Sequence, residues 1–408
     1  MLQNGKPPAI PKWNQPKSKL YKQYDLPVAP PLLIGFTRNW PMLLQAVTSY
    51  ITAGWPADQI YVIENTGMQQ ANARGQLSLQ NPFYLNHTQL KLLGVNIVQT
   101  PVLLSFAQLQ NFYLSLTYLH EWPYFFWSHM DVLAMSYEDS EPKYNEEGYK
   151  TIYERCLETL KDARDNDDHW GLRFFAYDHL ALVNPLAYED VGGWDTMIPY
   201  YITDCDMHSR LIMRKWSIKD GKAGHVIDVA SYLDDLRVLY RVDGVKPDWY
   251  DPSPPPLEEG GGGKKSRIRR GEIAGHPHEK MMMDRRNETS STASLSRRDD
   301  EKDDDLARFK ALREVSGAMD RHKHGDRGRN TWQNAQHGGQ GEPFYYNAAG
   351  FEEALGIMIE TGRQVYKVKW GHRDCDLIEG ARLKFEDQWL VEKDWFSLMR
   401  REGEDGEA

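Results

Sequence analysis

Between Pro31 and about Tyr250, short apolar runs alternate with stretches whose apolar residues recur at helical spacing. Leu32-Leu33-Ile34-Gly35-Phe36, bounded by proline and by polar Thr37-Arg38-Asn39, predicts a buried strand. Pro41 then opens a helix that carries Leu44, Val47, Tyr50 and Ile51 on one face and stops near Gly54. Ile60 to Ile63 is a second strand, running into Glu64-Asn65-Thr66-Gly67, and Val95 to Val98 is a third. A helix from about Phe106 to His120 precedes an aromatic strand, Phe125-Phe126-Trp127, which ends abruptly in Ser128-His129-Met130-Asp131. This rhythm predicts an α/β fold with a mostly parallel sheet covered by helices on both faces.

Tyr149 to Arg164 is amphipathic, with Ile152, Cys156, Leu157, Leu160 and Ala163 on its apolar side. A strand pair is expected around Leu172 to Tyr177 and Ala181 to Val183, and another strand or short helix within 223–240. The texture changes at Asp251. Pro252-Ser253-Pro254-Pro255-Pro256, the run Gly260 to Gly263, and mixed charged and serine residues continue to about Asn330. Such a segment buries too little apolar surface to offset an ordering entropy of roughly 1–2 kcal/mol per residue, so residues 251–330 are expected to be a disordered insertion. Order is expected to resume near Trp332, with Phe344-Tyr345-Tyr346, a helix from about Ala348 to Thr361, and an aromatic-rich helix near Phe385 to Leu398. The domain scheme is therefore a flexible arm (1–30), a main domain (31–250), the insertion, a segment (331–400) packing back on the main domain, and an acidic tail (401–408).

Composition narrows the class. The chain has 408 residues, 40% apolar and 12% aromatic, enough for a large core, and its net charge of -10 argues against a general nucleic-acid binder. Its three cysteines, at 156, 205 and 375, fit no zinc pattern and allow at most one disulfide. No apolar run is long enough for a transmembrane helix, and the Pro-, Lys- and Gln-rich start lacks the core of a signal peptide, so the chain reads as soluble and untargeted. There is no P-loop, dinucleotide fingerprint or nucleophile elbow.

Two clusters carry chemistry. His129 and Asp131, two apart at a strand end, project the same way, so both reach one point in the region where open sheets bind ligands. An imidazole with a carboxylate suits Mn²⁺ better than Mg²⁺; the plainer reading makes Asp131 a cap for the next turn. The second cluster is Gly192-Gly193-Trp194-Asp195 followed by Thr203-Asp204-Cys205-Asp206-Met207-His208. Paired glycines let backbone approach a ligand closely, and an indole offers a flat apolar face. Asp204 and Asp206 are either proton acceptors or caps of the next helix, and Asp206 fits the capping role well.

The order of these elements resembles the GT-A glycosyltransferases, particularly the inverting family 2 type. There, a helix with an Arg-Asn pair precedes a strand ending in Asp-x-Asp, and a Gly-Gly-aromatic-Asp loop precedes Glu-Asp-x-Asp-Leu. This chain has Gln110-Asn111, His129-Met130-Asp131, Gly192 to Asp195 and Thr203-Asp204 at those places. The resemblance implies a Rossmann-like catalytic domain over residues 31–250 that moves a sugar from a nucleotide-diphosphate donor to a hydroxyl acceptor (glycan, lipid or protein), with inversion. It implies Asp204 as general base. Asp131, His129 and His225 would hold a divalent cation, Mn²⁺ or Mg²⁺. Thr37, Arg38, Glu64, Asn65 and Asn111 would bind the donor, and Gly192, Gly193, Trp194 and Asp195 the acceptor sugar. His129 and Thr203 depart from the family pattern, which keeps open a non-catalytic protein that binds a nucleotide sugar or a partner enzyme. A metal-dependent hydrolase on the two acidic clusters is a third reading. By resemblance the compartment is the Golgi or secretory lumen; by the lack of any anchor it is cytoplasmic.

Overall fold

In the computed structural model, which describes residues 6–251, 304–325, 338–339, 341–342 and 347–390, the apolar runs become strands of one sheet. Strand β1 (Leu32–Phe36) is followed by helix α1 (Trp40–Thr52), strand β2 (Ile60–Glu64), short helices α2 (Gln69–Ala73) and α3 (His87–Leu93), and strand β3 (Asn96–Gln99). Helix α4 (Phe106–His120) leads into β4 (Phe125–Ser128), then β5 (Val132–Met135) and α5 (Ile152–Asn166). Next come β6 (Trp170–Phe175), β7 (Leu180–Val183), α6 (Pro185–Asp190), α7 (Thr203–Met213), β8 (Ser217–Gly221) and β9 (His225–Asp228). Short strands β10 (Tyr232–Leu233) and β11 (Trp249–Tyr250) close this part, and helices α8 (Asp304–Lys323) and α9 (Ala348–Trp370) follow.

The main sheet has seven strands in the order β3-β2-β1-β4-β7-β6-β8. Only β7 runs against the others, pairing antiparallel with both β4 and β6. In register, Ile34 of β1 lies between Val62 and Ser128, so β1, β2 and β4 end at the same edge. Strands β5 and β9 form a separate antiparallel pair that sets Asp228 opposite Val132 and His225 opposite Met135. The expected α/β sheet flanked by helices is what the chain forms.

Alternation along the strands builds a core on each face. Leu32, Ile34, Phe36 and Phe126 pack with α1 and α5, while Leu33, Phe125 and Trp127 pack with α4, α6 and α7. Helices α4 and α5 each start in a capping box, Ser105 with Gln108 and Thr151 with Glu154, which satisfies two free amides per helix. Gly35 is required where α4 crosses β1: a Cβ there would lie 2.6 Å from the Tyr113 hydroxyl.

Three expectations change. The chain from residue 6 onward is not a loose arm, because Asn14 is fully buried, donating to Thr52 O and Glu138 Oε1, each at 2.9 Å. Within the stretch expected to be disordered, residues 304–323 form α8, whose Phe309, Leu312 and Met319 enter a core with Leu133, Met135 and Val229. The late helix is longer than expected: α9 runs on past Thr361 to Trp370, whereas Phe385–Asp387 makes a single 3₁₀ turn where a helix was expected. The rest of the predicted insertion, Phe344 to Tyr346, and the tail lie outside the described residues.

Candidate active site

The strand-end tip is built as its spacing implied, but its partners come from elsewhere. His129 stacks on Trp127 at a ring separation of 5.3 Å, with Nδ1 3.6 Å from Asp131 Oδ1 and Nε2 3.5 Å from Asp178 Oδ2. The Tyr177–His179 turn, joining β6 to β7, meets this tip through its backbone: His179 O accepts from His129 N at 3.2 Å and from Ser128 Oγ at 2.8 Å. Asp228, at the end of β9, completes the acidic group. Its Oδ2 lies 3.6 Å from His179 Nε2 and 3.4 Å from His324 Nε2.

Into this group runs the ammonium of Lys323, the last residue of α8. Nζ donates to Asp131 Oδ2 at 2.7 Å, Asp228 Oδ1 at 2.5 Å and Val229 O at 3.3 Å, and the residue is 2% exposed. Burial disfavours the charge of Asp131, yet Lys323 and His129 hold its carboxyl well below the usual range. Burial works against His129 as well, but Asp178 and Asp131 raise its imidazole to about 10. His324 is raised to about 10 by its hydrogen bonds to Asp228 and Asp320. His179, by contrast, is lowered by burial. Asp131, Asp178, Asp228 and Asp320 thus surround the ammonium of Lys323 and the imidazoles of His129 and His324.

This donor set does not fit a divalent ion. An oxygen-bound Mg²⁺ sits about 2.0–2.1 Å from its ligands, which is the space the ammonium fills between Asp131 and Asp228. No group of three or more His, Cys, Asp or Glu among the described residues has metal-holding geometry. His225, expected as the third ligand, is at the other end of β9. Its ring packs on Tyr137 at 4.8 Å with Nε2 4.0 Å from Asp139 Oδ1, and burial, with Arg313, lowers it to about 4.

Asp204 bonds the Tyr177–His179 turn. It lies in the first turn of α7, half-buried, and its Oδ2 accepts from the Tyr177 hydroxyl at 3.2 Å. The 177–179 turn therefore touches Asp204 through Tyr177, His129 through Asp178 and His179, and Asp228 through His179. Backbone strain gathers around it: Ala176, Tyr177 and Ile202 have φ of 60°, 56° and 71° without being glycine. Such conformations cost on the order of 1–3 kcal/mol each and persist where surroundings over-determine them. Two residues on from Asp204, Asp206 is fully buried. Arg210 Nε at 2.8 Å, Lys369 Nζ at 2.7 Å and Trp370 Nε1 at 2.9 Å surround its carboxylate. Cys205 and Cys375 form a disulfide across a separation of 170 residues, tying this same turn to the segment after α9.

The other expected contacts serve the scaffold. Glu64 is fully buried and takes donors on both oxygens: Asn72 Nδ2 at 2.8 Å, with His87 Nε2 and Gln99 Nε2 each at 2.9 Å. A ribose hydroxyl has no access to it. Asn65 clamps the following loop, donating to Leu104 O at 2.9 Å and accepting from Leu104 N at 2.7 Å. Asn111 likewise holds both backbone groups of Trp194 at 2.8 Å, and Gly193 makes room, since a Cβ there would be 2.8 Å from Asn111 Oδ1. Trp194 is 4% exposed against Phe106 and Tyr188, so it presents no face to a sugar. Asp195 pairs with Lys369 at 2.8 Å. Arg38 turns to α9, over the Phe351 ring at 4.6 Å and 3.3 Å from Glu352. Thr37 stays partly exposed beside it, and a Cβ on Gly192 would meet nothing within 4 Å.

Sequence reasoning missed Tyr177, Asp178, His179, Asp228, Lys323 and His324. One signal was available. Phe309, Leu312, Ser316, Met319 and Lys323 are spaced three and four apart, so the lysine lies on the buried stripe of α8.

No family model and no curated protein matches the chain. Among solved structures, it is similar to a mannosyltransferase from Pyrobaculum calidifontis in complex with GDP-Man and Mn²⁺, at 13% identity and TM-score 0.31, covering 50% of this chain. The match spans 60% of that enzyme. It is also similar to a cytidylyltransferase from Leptospira borgpetersenii serovar Hardjo-bovis (strain JB197), at 10% identity and TM-score 0.29, over 47% of this chain and 75% of that one.

Proposed function

We propose that the protein is a glycosyltransferase that moves a sugar from a nucleotide-diphosphate donor to a hydroxyl acceptor with inversion. One observation carries the reading: Asp204 and the His129–Asp131 tip meet at the Tyr177–His179 turn, at the sheet edge where β1, β2 and β4 end. In the reaction, the acceptor hydroxyl attacks the anomeric carbon and passes its proton to Asp204. The new carbon–oxygen bond forms as the bond to the diphosphate breaks, and the nucleoside diphosphate leaves with that electron pair. Thr37 is left as the donor-side contact, with Gly192 on the acceptor side. Asn65, Asn111, Gly193 and Trp194 act by holding the loops that shape the cleft. The Cys205–Cys375 bridge supports an oxidising compartment such as the secretory lumen.

The test is a panel of UDP- and GDP-sugars with simple glycosides as acceptors, read as release of nucleoside diphosphate. Turnover is expected, with a loss of about a hundredfold or more in Asp204→Asn. Turnover indifferent to Asp204→Asn removes the base assignment. Binding of a nucleotide sugar without turnover selects the second reading, a non-catalytic binder, which the closure of the acidic pair by Lys323 favours.

A further inference from the structure

We propose that Lys323 is the resident cation of the Asp131–Asp228 pair, so that this site is closed to divalent metal and nucleotide binding there is metal-independent. The second half of the proposal rests on the glycosyl-transfer reading; the first stands on geometry alone. An ammonium has three hydrogens to donate, and here each has an oxygen: Asp131 Oδ2, Asp228 Oδ1 and Val229 O. A divalent ion on the same two carboxylates has to expel that group, since both cations need the same oxygens.

The lysine is delivered by a fixed element. Phe309, Leu312 and Met319 are at most 1% exposed, and they lock α8 against β5 and β9. Around this seam, Arg313 pairs with Asp139, and His322 with Asp251 at 2.9 Å. Withdrawing Lys323 therefore means lifting the last turn of a packed helix and leaving two adjacent buried carboxylates with only imidazole neighbours, an unfavourable state. His324 adds a second nitrogen at Asp228, and with His129 it presents the partly exposed edge of the cluster, each side chain at 30% exposure.

Mn²⁺ titration of the metal-stripped full chain, followed by the electron paramagnetic resonance signal of the free aqua ion, reads occupancy without any substrate. The unmodified protein should leave that signal undiminished at millimolar Mn²⁺. Lys323→Met, which keeps length and removes charge, should gain Mn²⁺ affinity by about tenfold or more. Calorimetry with UDP and GDP should give the same affinity with EDTA as with Mn²⁺. Stoichiometric Mn²⁺ binding by the unmodified protein overturns the proposal, as does loss of nucleotide binding in EDTA. A Lys323→Met protein with faster, Mn²⁺-dependent turnover also overturns it, because the lysine is then a plug. Should the variant fail to fold, the titration of the unmodified chain still decides. If neither nucleotide binds under any condition, glycosyl transfer fails while the Mn²⁺ result continues to judge the lysine.

Discussion

Tyr177 donates its hydroxyl to Asp204 Oδ2 across 3.2 Å, joining the β6–β7 turn to the first turn of α7. The bond orients the carboxylate to which the proposed function gives the acceptor's proton. Removing it in Tyr177→Phe deletes a hydrogen bond to a charged group, on the order of 1.5–3 kcal/mol. Turnover should fall about tenfold or more, with KM for the donor little changed. A fall in donor affinity at constant kcat would place Tyr177 in the binding of nucleotide instead.

The disulfide brackets the same turn. Closing a loop of 170 residues lowers the entropy of the unfolded chain by about 5 kcal/mol at room temperature in the loop-closure view. Cys205→Ser/Cys375→Ser should therefore melt at lower temperature, and α9 should exchange its amide hydrogens faster than the central strands do. Equal protection of α9 with and without the bridge would show that Asp206 and the core around Tyr366 and Trp370 suffice.

Asp206 tests the assignment of roles within one short motif. Its buried carboxylate holds Arg210, Lys369 and Trp370, so Asp206→Ala strands buried Arg210, leaves Lys369 with Asp195 alone, and should cost about 3–5 kcal/mol. Asp204→Asn, at a partly exposed position, should leave the unfolding midpoint within the equivalent of about 1 kcal/mol. Chemical denaturation of both variants separates a structural aspartate from a functional one.

Acid should weaken the far edge of the sheet through Asp167. Burial opposes its ionisation, but Lys219 at 2.8 Å, Ser217 at 2.5 Å and Arg173 at 2.7 Å hold the carboxyl well below the usual range. A depressed folded-state value stabilises above the unfolded pKa near 3.9 and is lost as pH falls below it. Asp167→Asn should thus be less stable than the unmodified protein at pH 7, by about 1 kcal/mol. The two should converge as pH falls below the unfolded value. A gap that persists in acid would point to lost packing rather than lost charge.

The strands, α1, α4 and α5 were legible because each is set by local periodicity and by caps such as Ser105 and Thr151, within a few residues of chain. The two clusters were legible as places where polar residues interrupt apolar runs. Their internal roles were not. Glu64, Asn65, Asn111 and Trp194 have the residue types of a binding site, yet each is spent on holding backbone or neighbouring side chains. His225 and Asp228 lie three apart on one strand, and only the antiparallel register of β5 with β9 brings Asp228, not His225, next to the tip.

What the sequence by itself determined is the alternation that makes an α/β sheet and the strand end that carries His129 and Asp131. What the tertiary structure alone decided is the charge that faces them. Lys323 stands 192 residues from Asp131 along the chain, on a helix inside a polar stretch whose average composition hides one apolar stripe. Periodicity reports on neighbours a turn or a pleat away. The meeting of a buried ammonium with two carboxylates depends on how α8 packs on β5 and β9, because a buried charge is held only by the partners that folding brings to it.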